Sequence, residues 1–331
     1  MDFLEAILSK AKAKQKRLVL TEGKEAEAIK AARVILNEGL ASSVTLLGKK
    51  SDIQKIASEE GVDLSDLYII EPEFSNELNR YANEYLLLRN DITIKMNQAK
   101  QDMMLPLYYG AMMVHLGDAD AVVGGAESSA MDVLNAGLLI IGTADKVKTP
   151  SSCSILLSSD SSWGYDGAFI FSDCSIIAKP SAEELSDIAI SASISCRDYF
   201  GVKPVLALLS HSTKGSKKPD KDIEKIQNAL KMIKERESDL NIDGEMQFDA
   251  ALIPSVTDYL APGSPVKGKV NTLIFPNMEA GNIGFQIARA FGKAETYGPF
   301  LQGFAKPISY IPHGSLANKV VVCCAAALAR A

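Results

Sequence analysis

Short apolar runs alternate with helically spaced apolar positions along most of the chain. Arg17–Leu20, Ser43–Leu47 and 67–70 read as strands, the last ended by Pro72. Between them 25–36 reads as an amphipathic helix stopped near Gly39, and 53–60 as a short helix. Leu78–Arg89 is helical, and beyond a break at Asn90-Asp91 the helical pattern resumes over 95–116. A buried-type strand at 119–123 runs into Gly124-Gly125, then Ser128-Ser129, then a helix over 131–141. This rhythm predicts βαβ units, hence mainly parallel sheet with helices on both faces.

After a polar, turn-like stretch at 143–149, a candidate domain junction, strands are expected at 154–157 and 168–171. Ser181-Ala-Glu-Glu184 has capping-box spacing and opens a helix. The strand Val205–Leu209 delivers a loop, Ser-His-Ser-Thr-Lys-Gly-Ser over 210–216, that lacks the G-x-x-x-x-G-K-[ST] frame of a Walker-type NTPase. Lys214, Lys217, Lys218 and Lys221 then precede a helix over 223–234, and such a run is ordinarily a solvated face. The run 271–275 ends at Pro276, and Gly281 and Gly284 open a helix with apolar Ile283, Ile287, Ala290 and Phe291, stopped at Gly292.

Two places suit an anion: the Gly281/Gly284 pair, and Ser128-Ser129 after Gly124-Gly125 at a helix N-terminus. Each has an equally physical structural reading, tight helix-on-sheet packing for the first and a helix cap for the second.

The 331 residues are 47% hydrophobic and 23% charged, enough for two packed domains. A net charge of −6 leaves no basic excess for a nucleic-acid binder. No stretch approaches ~20 uninterrupted apolar residues and 1–13 lacks a signal-peptide core, so a cytoplasmic protein without membrane contact is expected. Five cysteines, with no CxxC and no histidine at ligand spacing, point to reduced thiols rather than disulfides or a metal site.

Longer words narrow the field. They are Arg17-Leu-Val-Leu-Thr-Glu-Gly23, Phe171-Ser-Asp-Cys-Ser175, Leu209-Ser-His-Ser-Thr-Lys-Gly-Ser216, and Asp243-Gly-Glu245 followed by Met246-Gln-Phe-Asp-Ala-Ala251. Pro276 with Glu279-Ala-Gly-Asn-Ile-Gly284, and Gly298-Pro with Gln302-Gly303 and Lys306-Pro307, complete the set. In order and spacing they resemble the phosphotransacetylase (phosphate acetyltransferase) family over essentially the whole chain. The resemblance implies two doubly wound α/β domains with an interdomain cleft, 1–149 plus 295–331 forming one and 150–294 the other, in a homodimer. It implies the exchange of acetyl phosphate and coenzyme A for acetyl-CoA and phosphate, with coenzyme A as substrate and no metal or redox cofactor.

That chemistry needs cations for the phosphate, donors for the oxyanion of the acyl carbonyl, and a thiolate nucleophile. By resemblance Arg89 keeps one family arginine, whereas Asn135 stands where a second belongs. After Lys306-Pro307 the family reads approximately Asn-Asp-Leu-Ser-Arg-Gly-Cys-Ser, with an aspartate general base shortly beyond. Here Pro312 replaces the serine, His313 the arginine and Lys319 the aspartate. Arg89, Asn135, His313 and Lys319 are thus the catalytic candidates. Ser128, Ser129, Lys214, Gly281, Gly284 and Ser315 are the candidates for binding coenzyme A or phosphate.

Proline supplies neither hydroxyl nor N–H, and a protonated lysine accepts no proton. The expected activity is therefore an impaired or altered phosphate acetyltransferase; the alternative is a non-catalytic paralogue that keeps the fold and binds coenzyme A or acyl phosphate. A nucleotide-linked dicarboxylate dehydrogenase is disfavoured, since no G-x-G-x-x-G turn or acidic metal cluster is evident.

Overall fold

A computed structural model describes residues 3–89 and 94–331; the break expected at Asn90-Asp91 lies outside the described residues. In chain order the strands are β1 Arg17–Leu20, β2 Ser43–Leu47, β3 Tyr68–Ile70, β4 Ala121–Gly124, β5 Ser151–Leu157 and β6 Ala168–Ser172. There follow β7 Val205–Leu209, β8 Asn241–Met246, β9 Thr272–Ile274, β10 Glu295–Gln302 and β11 Ile308–Tyr310. They fall into two compact units, Leu4–Ala144 with Phe304–Ala331, and Asp145–Gly303.

The first unit holds a five-stranded sheet in the order β11-β4-β1-β2-β3, every neighbouring pair parallel. Its chain leaves after β4 and returns for β11. Successive side chains of a strand point to opposite faces, and both faces are covered here. A Cβ placed on Gly110 in the helix Pro106–Leu116 would meet Thr21, Val122 and Leu47. Their neighbours Leu20 and Val123 line a small cavity on the other side with Ala28 and Val320, from the helices Ala26–Asn37 and Ala317–Arg330. Double cover explains why β1 and β4 read as unbroken apolar runs.

The second unit holds six strands in the order β10-β5-β6-β9-β7-β8. β6, β9, β7 and β8 are parallel, while β5 pairs antiparallel with both β6 and β10. Its polar interior is dense. Gln302, 1% exposed, donates to the hydroxyls of Ser151 and Ser172 at 2.9 and 3.0 Å and accepts from Ser195 at 2.8 Å.

Some elements depart from the sequence pattern. The stretch expected as one helix over 95–116 is two, Met96–Met103 and Pro106–Leu116, because the residue before a proline avoids the helical region and Leu105 is extended. The helix expected over 131–141 is Ala130–Ala136 running into a π-turn at Gly137–Ile141. The late glycine pair does not open its helix. That helix runs Met278–Phe291, capped by Asn277, whose side chain accepts from the Ala280 N–H at 2.9 Å. Gly281 and Gly284 lie inside it, and Gly292 closes it with an ordinary right-handed φ of −74°. Its apolar stripe faces outward from this chain, Ile283, Ile287 and Phe291 being 59%, 53% and 87% exposed.

Candidate active site

Because β1, β4 and β11 are parallel neighbours, the segments leaving their carboxyl ends lie side by side, where open α/β sheets place ligands. Leaving β1, Glu22 turns back under the loop that follows β4. Its carboxylate, 8% exposed, accepts from the N–H groups of Gly125 at 2.8 Å, Ala126 at 2.5 Å and Ser128 at 2.9 Å. The donors that the glycine-serine loop could have offered an external anion are thus engaged by an internal one. Gly125 has φ +117°, and a Cβ there would fall 2.3 Å from the Tyr310 ring and 2.7 Å from the Ile311 carbonyl, so only glycine lets the loops approach. Ser129 caps the helix Ala130–Ala136 in a reciprocal capping box with Asp132. The Ser129 hydroxyl, then its N–H, hold the Asp132 carboxyl below its usual range.

The loop leaving β11 is tied to the loop leaving β4. His313 Nδ1 lies 2.5 Å from the Ala126 carbonyl oxygen. The Ser315 hydroxyl donates to the Pro312 carbonyl at 2.6 Å, closing the turn that carries His313. At the start of the helix Ala317–Arg330, Glu27 accepts from the Ala317 N–H at 2.6 Å, supplying the acceptor that Leu316 at the N-cap cannot. Lys30, then that N–H, hold the Glu27 carboxyl low. Lys319 is exposed in the first turn of this helix, and Asn135 is exposed on Ala130–Ala136.

Arg89 ends the helix Leu78–Arg89 beside Tyr85 and Tyr108. Burial pushes the Tyr85 phenol up to about 12, Asp102 adds to the rise and the Arg89 charge opposes it. Tyr108 lines a cavity of about 390 Å3 together with Thr21, Glu22, Lys24, Ser128 and Asp132. Thr21 Oγ1 has no hydrogen-bond partner among the described residues, although the residue is only 1% exposed.

Three candidates belong to the second unit. Lys214 pairs with the buried Asp243 and donates to the Gly244 carbonyl at 2.9 Å. At Gly281 a Cβ would come 2.5 Å from the Asp173 carbonyl oxygen, and at Gly284 one would come 3.2 Å from the Phe275 ring. Both glycines serve close packing in this structure.

All five cysteines are buried thiols without disulfides. Burial pushes the Cys196 thiol up to about 11 and Cys323 to about 12, and it also raises Cys174 and Cys324, which disfavours the thiolate form at these four positions. Among the described residues there is no group of histidine, cysteine and carboxylate side chains fit to hold a metal, and no helix long and apolar enough to cross a membrane.

Comparison with known proteins decides the family. The model described as phosphate acetyl/butaryl transferase matches residues 2–328. The chain belongs to this family. A phosphate acetyltransferase of Treponema pallidum is 45% identical over 99% of this chain and 98% of its own length. Among solved structures, the EutD phosphotransacetylase of Staphylococcus aureus superposes with a TM-score of 0.90 at 32% identity, covering 99% of this chain and 98% of its own. A phosphotransacetylase of Streptococcus pyogenes gives a TM-score of 0.92 at 30% identity, covering 99% and 97%. A putative 4-hydroxythreonine-4-phosphate dehydrogenase of Salmonella typhimurium, at 10% identity and a TM-score of 0.56, shares the fold alone.

Within this phosphate acetyl/butaryl transferase fold, sequence reasoning passed over Glu22, Glu27, Thr21 and Tyr108. Glu22 stood in the word Arg17-Leu-Val-Leu-Thr-Glu-Gly23, and that placement was the one signal that could have found it. Its partners lie more than a hundred residues away, beyond any spacing rule.

Proposed function

We propose that this chain is a phosphate acetyltransferase with a remodelled site, interconverting acetyl-CoA and phosphate with acetyl phosphate and coenzyme A. The observation that carries this reading is the family match over residues 2–328, joined to the arrangement in which Glu22 ties down the loop beside His313. Arg89 is the family cation left to neutralise phosphate, His313 stands where a further family arginine belongs, and Asn135 contributes at most hydrogen bonds. Ser315 and Ser128 line the cavities beside these loops, and Ser129 caps the helix that follows Ser128. Coenzyme A acts as substrate, no metal takes part, and the protein works in the cytoplasm.

The test is direct. Purified protein mixed with acetyl phosphate and coenzyme A should generate thioester absorbance, and Arg89→Ala should reduce the rate by ~10²-fold or more, the order seen when one charge-stabilising donor is lost. The second reading, a non-catalytic paralogue, draws on Asn135, Pro312 and Lys319, each exposed and none able to do what the family residue does. It predicts silence in the unaltered chain and activity after Asn135→Arg, Pro312→Ser, His313→Arg and Lys319→Asp together.

A homodimer belongs to the same proposal. The outward apolar stripe of Ile283, Ile287 and Phe291 has the character of a covered face. Sedimentation should give twice the chain mass, and Ile287→Glu should yield monomers; a monomeric unaltered chain would contradict it.

A further inference from the structure

We infer that His313 is the general base of this transferase, taking the proton of the coenzyme A thiol through Nε2 in place of the missing aspartate. The inference rests on the transferase reading above. It starts from one contact, His313 Nδ1 at 2.5 Å from the Ala126 carbonyl oxygen. A carbonyl oxygen only accepts, so Nδ1 must carry the hydrogen. The neutral ring then presents its lone pair at Nε2, because the bond at one nitrogen fixes the role of the other. Nε2 has no partner among the described residues, and the side chain is exposed to an incoming substrate.

The arrangement behind the ring favours this use. Ala126 accepts from His313 through its carbonyl and donates through its own N–H, at 2.5 Å, to Glu22. A buried carboxylate thus orients the imidazole through a single intervening residue, much as a carboxylate orients the base of a hydrolytic triad directly. The acidic groups near the paired loops are Glu22, Glu25 and Glu27, which line the small cavity beside Gly314 and Ser315, and Glu127, which pairs with Lys24 at 3.0 Å. Glu27 is also bound to Lys30 at 3.0 Å. Lys319 is the nearest basic residue along the following helix. Of these four carboxylates Glu27 and Glu127 are paired with lysines, and the negative charge that Glu22 and Glu25 leave near the loop suits a ring that must become positive during turnover.

The step balances without a further reactant. Nε2 removes the proton from the thiol, and the sulfur forms a bond to the carbonyl carbon of acetyl phosphate. The bond from that carbon to the phosphate oxygen then breaks. The imidazolium returns its proton to the departing oxygen, leaving thioester and monohydrogen phosphate. One residue acts as base and then as acid. A guanidinium at the same position could do neither.

Two substitutions separate this role from that of a phosphate-binding cation. With melting temperatures checked, His313→Asn should lower kcat/KM for coenzyme A at neutral pH by ~10²- to 10⁴-fold, the usual worth of a general base. The deficit should shrink ~10-fold per pH unit as the pH rises toward the thiol's own pKa of about 8.5, because substrate thiolate then forms without help. Added imidazole should restore part of the rate. His313→Arg, which restores the family cation, should be as impaired as His313→Asn. A rate in His313→Arg at or above that of the unaltered chain would overturn the inference, as would normal turnover or a pH-independent deficit in His313→Asn. Absence of thioester formation by the unaltered chain would instead overturn the transferase reading, and this inference with it.

Discussion

Glu22→Ala should lower stability by ~3 kcal/mol and reduce turnover by up to the loss caused by removing the His313 imidazole. The estimate follows from the bonds removed. Hydrogen bonds to a charged group contribute ~1.5–3 kcal/mol each, and three are lost together. They do not add fully, since the neighbouring cavity of about 390 Å3 lets water reach some of the released N–H groups. The catalytic loss arises elsewhere. Without Glu22 the loop 125–128 is free to shift, and the Ala126 carbonyl that holds His313 shifts with it. Glu22→Gln keeps an acceptor and one or two of the bonds, so it should fall between the two in melting temperature and rate. Chemical denaturation with a parallel rate assay checks both. A Glu22→Ala protein as stable and active as its parent would mean that the loop holds its shape by other means.

The second large effect concerns Lys214. Lys214→Met should cost ~2–3 kcal/mol while leaving KM for coenzyme A close to normal. The lysine is the cationic partner of Asp243, whose side chain is 3% exposed. Removing one member of a buried pair typically costs ~3–5 kcal/mol because a charge is left behind. Here the cost is smaller, since Asp243 keeps the Ser264 hydroxyl at 2.6 Å and the Gly244 N–H at 2.9 Å, and Lys214 itself is 36% exposed. Asp243→Asn in the same chain should recover part of the loss by removing the stranded charge. A protein of unchanged stability with KM for coenzyme A raised severalfold would instead assign Lys214 to the coenzyme.

Much of the fold was legible. β1, β2 and β7 coincide with apolar runs read from the sequence, and the capping box at Ser181 is present with both of its bonds. These features are local, fixed by burial period and by side chains a few residues apart. What failed to show was long-range or conditional. Pro106 split a helix whose apolar period ran straight through it. The strands β8 and β10 carry too many polar or glycine positions to read as strands and β11 is only three residues long, so tertiary pairing decides all three.

The site was harder to read, and for one physical reason. Several of the words that carry the family resemblance encode internal polar frameworks. Asp173 accepts from the Ser152 hydroxyl and from three N–H groups of its own loop, Glu245 from Ser212, Gly215 and Gln227, and Gln302 joins three serines. Burial raises the Asp173 carboxyl, whereas at Glu245 the Gly215, Gln227 and Ser212 bonds outweigh burial and leave the carboxyl low. Such networks keep a fold recognisable while the exposed loop at 312–319 is free to change. The words therefore located the family, and Asn135, Pro312, His313 and Lys319 mark the positions on which the proposed remodelling rests.

Phosphorus NMR of the unaltered protein with acetyl phosphate, with and without coenzyme A, tests the central claim most directly. Catalysed loss of acetyl phosphate with matching growth of orthophosphate and thioester, only when coenzyme A is present, is the predicted result. An acetyl phosphate signal that decays no faster than in buffer, under conditions where a family enzyme consumes it, would contradict the assignment of acetyl transfer to this chain.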